Sequence, residues 1–169
     1  GLLSLMDWGD GPLAPGDIAL FASDGAEHQA GYSYGAAGII DQLRRSPAGI
    51  DRHTADAWLA ARTGDIHSRG LRGREGLAHA ARDAGLHQTL TALESTSGPE
   101  PTDPTLWSGW AGVGLYHLES GDDPLMAAHH LERLLDNGVQ GETVGLLNGW
   151  CAAAILFAKL HEQTGKGRF

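Results

Sequence analysis

The chain of 169 residues has one cysteine, Cys151, and two methionines, and Phe, Trp and Tyr together make up 7% of it. A single cysteine excludes an internal disulfide framework. At this length none is needed, because a chain of this size buries roughly two-thirds of its unfolded surface in one core. Positive charge is also scarce: 12 Lys and Arg stand against 21 Asp and Glu, a net charge of −9. That balance opposes binding to phosphate backbones and to anionic lipid, so neither nucleic acid nor a membrane surface is an expected partner. No apolar run reaches the roughly 18 residues of a membrane span, and no basic, then apolar, leader opens the chain. These absences lead to the expectation of a cytoplasmic protein with Cys151 buried rather than reactive. Gly1 is not an initiator methionine, and the chain stops just after a helix-stop signal, so it is expected to be part of a longer polypeptide.

Glycine, by contrast, is abundant and periodic. YSYGAAGII from Tyr32 and LWSGWAGVGL from Leu106 share the pairs Gly35 with Gly38 and Gly109 with Gly112. RGLRGREGLAHAA supplies Gly73 with Gly76, and LLNGWCAAAIL supplies Gly149 with Ala152 in place of a second glycine. The first glycines of these motifs are 38, 36 and 40 residues apart, a period that marks a repeat architecture. Each opens an apolar, helix-like segment: Ile39, Ile40 and Leu43; Leu77, Ala80 and Ala81; Val113, Leu115 and Leu118; Ile155, Leu156 and Leu160. A Gly-x-x-Gly at a helix start keeps that turn slim, so that another backbone or a substrate can approach.

A second helix reads between successive motifs. The clearest runs from Pro124 to about Asn137, with Asp123 as cap, Pro124 in the first turn, Asn137-Gly138 as stop, and an apolar stripe of Leu125, Ala128, Leu131 and Leu135. His129, His130 and Glu132 on that helix read as solvated surface. Weaker counterparts span Thr54 to Arg62 and Leu86 to Leu93, and Ser95 to Pro104 reads as a loop. The pattern predicts an all-α fold, an α/α toroid in which an inner helix alternates with an amphipathic outer one. Residues 1–30 form a lead-in, with Asp17 to Ala22 a short strand or extended segment and Leu2 to Met6 a helix remnant. Residues 31–169 form the domain, with repeats starting near Gly35, Gly73, Gly109 and Gly149. Gly31-Tyr32-Ser33-Tyr34-Gly35 also spells G-x-S-x-G, but a nucleophile elbow needs a strand before it, and here the motif is one of four helix starts.

The succession LAPGDIALF, GYSYGAAGII, AWLA, the Gly70 to Gly76 segment, LWSGWAGVGLYHL and GLLNGWCAAAILFAKLHEQTG resembles the LanC-like cyclase region of class III lanthipeptide synthetases over Pro15 to Gly165. The resemblance implies a toroid of seven helix pairs, of which this chain holds about four, so the segment by itself is expected to be inactive. It implies addition of a peptide cysteine thiol to dehydroalanine or dehydrobutyrine, giving lanthionine or labionin rings in a precursor peptide. The implied partners are that peptide, the kinase and lyase domains of the same synthetase, and the remaining repeats or a second copy. Nucleotide and magnesium would belong to the kinase alone.

Zinc-dependent members of the wider family carry Trp-Cys-Tyr-Gly and Cys-His-Gly motifs. This chain has neither; Cys151 follows its glycine, and no two histidines are two, three or four residues apart. No metal and no cofactor is therefore expected, and a protein base must take the thiol proton. His67 and Tyr34, near inner-helix starts, are the catalytic candidates. Trp107, Trp110 and Trp150 either line a peptide cavity or pack between inner helices, and Asn148 either donates to an enolate oxygen or caps the fourth inner helix. Two other readings remain: a non-catalytic module of the same fold that binds the peptide or supports a kinase, and a carbohydrate-active toroid, for which only Glu75 supplies an acid at a helix start.

Overall fold

The computed structural model describes residues 30–32, 35–43, 52–138 and 144–165. Tyr34, the strand at Asp17 to Ala22 and the helix at Leu2 to Met6 lie outside the described residues. Those described form seven α-helices and one 3-10 turn, with no β-strand among them. The helices are α1 Ala36–Leu43, α2 Arg52–Ala60, α3 Arg74–Ala84, α4 His87–Glu94, α5 Trp110–Ser120, α6 Leu125–Asp136 and α7 Cys151–Thr164, and the 3-10 turn is Thr63–Asp65. The chain is all-α.

Three of the four motif glycines stand directly before a helix: Gly35, Gly73 and Gly109 accept the first helical amide of α1, α3 and α5, from Ile39, Leu77 and Val113. In the fourth motif Trp150 takes that place, accepting from Ala154, so α7 starts two residues after Gly149. Counted from the helix start, the residue matching Gly38 and Gly112 is Ala153, not Ala152.

The reason for the second glycine is visible in the first and third motifs. A Cβ on Gly38 would stand 2.0 Å from the carbonyl oxygen of Tyr32, and one on Gly112 would stand 2.2 Å from that of Leu106. Tyr32 is four residues before α1 and Leu106 four residues before α5, so in both motifs the incoming chain folds back across the third helical residue.

The chain divides into two compact units. In the first, residues 1–68 and 72–99, α1 packs against α3 and α2 against α4, while α3 also packs against α4. Leu77, Ala80, Ala81 and Ala84 form the buried stripe of α3 at helical spacing. Ala36, Ala37 and Ile40 of α1 are buried, and Ala55, Trp58 and Leu59 of α2 join Leu86 and Leu93 in the same core. The alanines let α1 and α3 approach closely, and the leucines supply the apolar area.

In the second unit, residues 69–71 and 100–169, α5 packs against α6 and α7. Its core holds Trp110, Ala111, Val113, Ala127, Ala128, Leu131, Ala152, Ala153, Leu156 and Leu160. Gly114 admits Leu156 to the α5 backbone, since a Cβ there would lie 2.3 Å from Leu156 Cδ2.

Several expectations are corrected here. The buried stripe of α6 continues through Leu134, which packs on the core, while Leu135 is 51% exposed. Leu156 and Leu160 belong to the core of the second unit. Ile155, on the other side of the helix, is 40% exposed. Cys151 is half-buried, not buried, because it opens α7, and its Sγ–H donates to the carbonyl of Val144. Asp123 does cap α6, its Oδ1 accepting the Leu125 amide at 2.9 Å, and Pro124 already has helical torsions.

Candidate functional site

In the second unit, the segments preceding the glycine-led helices are joined by hydrogen bonds of one register. The Leu71 amide donates to the carbonyl of Leu106, and the Trp107 amide to that of Leu147, both at 3.0 Å. Leu71 and Trp107 each stand three residues before a glycine-led helix, and Leu106 and Leu147 each stand four residues before the next. One bond thus recurs along the repeat, and it brings Trp107 beside the segment carrying Leu147, Asn148 and Trp150.

Asp103 shapes the middle segment. Its Oδ1 accepts the Thr105 amide at 2.8 Å and the Thr105 hydroxyl, its Oδ2 accepts from Ser108 Oγ at 3.1 Å, and its carbonyl takes the Trp110 amide at 3.0 Å. A side chain on Gly109 would collide with that carboxylate, 2.2 Å from Oδ1. This knot of short polar side chains supplies partners to backbone groups ahead of α5 that the helix itself cannot satisfy.

The candidate residues separate on this scaffold. Trp107 and Trp150 are half-buried, Trp150 against the core of the second unit, and Asn148 is exposed. Of the two readings of Trp110, packing is the one its place in the core fits. It is 3% exposed within the core and stacks on His130 of α6, ring centroids 3.9 Å apart and planes 9° apart. His130 is accordingly half-buried, not solvated surface. Asn148 is not the cap of α7: Trp150 holds that position, with no side-chain cap bond. His67, in the first unit, lies exposed in the segment between the 3-10 turn and α3.

The first unit also brings together three proton-exchanging side chains that sequence reasoning missed. Asp41 of α1 is 1% exposed, and its Oδ2 accepts from the Tyr32 hydroxyl at 3.1 Å and from Gln42 Nε2 at 3.4 Å. His79 of α3 meets the Tyr32 ring edge-on, centroids 5.9 Å apart at 68°. Tyr32 and His79 are half-buried and so keep part of their surface open. The residues are 9 and 47 positions from Tyr32 along the chain and carry no spacing motif. The one local signal is an aspartate inside the apolar run GIIDQL.

No three His, Cys, Asp or Glu side chains among the described residues are grouped to share a metal ion, and the Cys151 thiol is turned to a backbone carbonyl. No helix among the described residues is long and apolar enough to cross a membrane. Comparison of the chain with protein-family models, with curated proteins and with solved structures finds no match.

Proposed function

We propose that this chain is part of the LanC-like cyclase domain of a class III lanthipeptide synthetase, about four helix pairs of an α/α toroid. Its chemistry is the addition of a peptide cysteine thiol to dehydroalanine or dehydrobutyrine, giving lanthionine or labionin. The observation that carries the reading is the recurring bond from Leu71 to Leu106 and from Trp107 to Leu147, with a glycine under the returning chain in two motifs. Such a register belongs to a repeat in which equivalent approach segments run side by side. Packing of α1 on α3, of α5 on α7 and of α2 on α4 supports the alternation of inner and outer helices. The partners in this reading are a dehydrated precursor peptide, kinase and lyase domains of the same synthetase and further repeats, in the cytoplasm.

A peptide-binding module of the same fold without catalysis is the second reading. It is favoured by the missing Trp-Cys-Tyr-Gly and Cys-His-Gly motifs, which leave the thiol without zinc to lower its pKa. One experiment separates the two. A peptide carrying cysteine and dehydroalanine is incubated with the chain joined to the repeats that complete its ring, with binding followed by calorimetry and free thiol by alkylation and mass spectrometry. Binding with loss of alkylatable thiol supports the cyclase, binding with the thiol retained supports the second reading, and no binding overturns both.

A further inference from the structure

We propose that the outward side of α7 is a helix-docking surface, and that its occupant is another glycine-led helix of this repeat, seated on α7 as α7 is seated on α5. The inference rests on the repeat in the reading above and not on its chemistry.

The warrant is a comparison of α5 with α7, position by position. Counted from the first helical residue, Gly114 is the fifth of α5 and Ile155 the fifth of α7, with Val113 and Ala154 just before them. On α5 both positions are buried. The fifth is where the next glycine-led helix arrives, since a Cβ on Gly114 would meet Cδ2 of Leu156, the sixth residue of α7, at 2.3 Å. On α7 the same two positions are exposed.

Cys151, Ala154, Ile155 and Ala158 share one side of α7 by helical spacing, turned away from the buried Ala152, Ala153, Leu156 and Leu160. A helix side that faces water ordinarily carries charge. This one carries none, because no Asp, Glu, Lys or Arg occurs between Val144 and Ala158. The approach segment extends the surface: the Cys151 Sγ–H donates to the Val144 carbonyl, and Val144, Leu146 and Leu147 are exposed. Contiguous apolar surface of this kind marks an interaction site.

The identity of the occupant follows from the same comparison. Leu156 reaches α5 because Gly114 leaves room for it. On α7 the room lies over Ala154 and Ala158, with Ile155 as an apolar wall, so the arriving helix presents an aliphatic side chain there and no charge. A second copy of the chain does not supply that helix from its own fourth motif. Leu156 is already in the core of each copy, and a net charge of −9 opposes the approach of two copies.

The probe is a synthetic peptide of residues 144–165 carrying Cys151→Ser, whose Leu156 side is free. It is added to the intact chain, in which the one thiol, that of Cys151, lies on the open side of α7. Binding is followed by fluorescence anisotropy of labelled peptide and by the rate at which iodoacetamide alkylates Cys151. Expected is saturable binding that, at about ten times the Kd, slows alkylation about tenfold. Both effects should be lost with Ile155→Glu in the chain and with Leu156→Asp in the peptide. Ile155 is exposed, so Ile155→Glu should keep the wild-type unfolding temperature; Ala158→Glu serves in its place if it does not. Faster alkylation would mean that the peptide displaces the chain's own α7, and overturns the proposal. So do absence of binding, equal binding by a peptide of the same composition in scrambled order, and binding that the open-side variants leave intact. Dimerisation of the chain alone, abolished by Ile155→Glu, would give the surface to a second copy and overturn it too. No dehydrated peptide enters this assay, so its failure leaves the cyclase reading to its own test.

Discussion

Asp56, on α2, caps α4, thirty-three residues away at Thr89: its Oδ1 accepts both the amide and the hydroxyl of Thr89 at 2.8 Å, and its Oδ2 accepts the Gln88 amide at 2.9 Å. The first turn of a helix has amides with no partner of their own and carries the positive end of the helix dipole, so a carboxylate is well matched to it. Leu86, at the cap position of α4, has no side chain able to do this. The two helices are therefore held by a polar clamp as well as by the contact of Ala55, Trp58 and Leu59 with the α4 side.

Asp56→Ala is expected to destabilise the chain by about 2–4 kcal/mol, since it removes charge-assisted bonds and leaves buried donors unmade. Asp56→Asn keeps one acceptor oxygen and should lose about half as much. Urea unfolding curves of the two variants check this. Equal midpoints for Asp56→Ala and the wild type would show that the clamp adds nothing.

The glycine at the third helical position gives a second prediction, with an internal control. In Gly112→Ala the new methyl meets the backbone carbonyl of Leu106, which cannot swing aside as a side-chain tip can, so a loss of about 1–3 kcal/mol or more is expected. Gly64, in the 3-10 turn, has nothing within 4 Å of its would-be Cβ and has a negative φ. Gly64→Ala should be neutral or stabilise by a few tenths of a kcal/mol. Similar losses for both, measured by thermal unfolding, would contradict the close approach.

Helix existence was legible in the sequence because glycine period and apolar spacing report the backbone directly. The interval 38, 36, 40 led to helices at Ala36, Arg74, Trp110 and Cys151, and the cap and stop signals at Asp123 and Asn137-Gly138 bounded α6 closely. Side-chain direction was less legible. Leu134 and Leu135 are equally apolar, and a rotation of one helical position decides which of them meets the core. Trp110 and Trp107 are chemically alike and three residues apart, yet one begins the helix and turns inward while the other stays in the approach segment. The contacts of Tyr32 with Asp41 and His79, and of Asp56 with Thr89, depend on which segments lie together, which no local period encodes.

The Trp110 and His130 stack separates a packing role from a ligand-binding one. Trp110→Ala should cost about 3–5 kcal/mol, as for other buried large side chains, and His130→Ala about 0.5–1.5 kcal/mol from the lost ring contact. Trp107→Ala, at a half-buried position, should cost less than Trp110→Ala. If Trp110→Phe instead left stability unchanged and altered peptide binding, the ring would be contacting ligand and its place in the core would be wrong.

The recurring bond between approach segments makes a prediction at single-amide resolution. The amides of Leu71 and Trp107 donate to Leu106 and Leu147 outside any helix, in segments that would exchange freely if they were ordinary surface loops. In hydrogen exchange followed by NMR they should be protected together, well above the exposed segment at Ser97 to Glu100. Asp103 provides the lever, because its side chain and carbonyl hold Thr105, Ser108 and Trp110 in the bend that presents Leu106 and Trp107 to their partners. Asp103→Ala should therefore raise exchange at Leu71 and Trp107 by about tenfold or more, corresponding to a local loss of roughly 1.4 kcal/mol. Amides in the middle of α3, such as that of Ala81, should be unaffected, because their bonds are internal to the helix. Loss of protection at Ala81 in step with Trp107 would mean that the variant unfolds the chain globally. Retention of protection at both segment amides would mean that the register is held by the helices alone and not by the Asp103 knot.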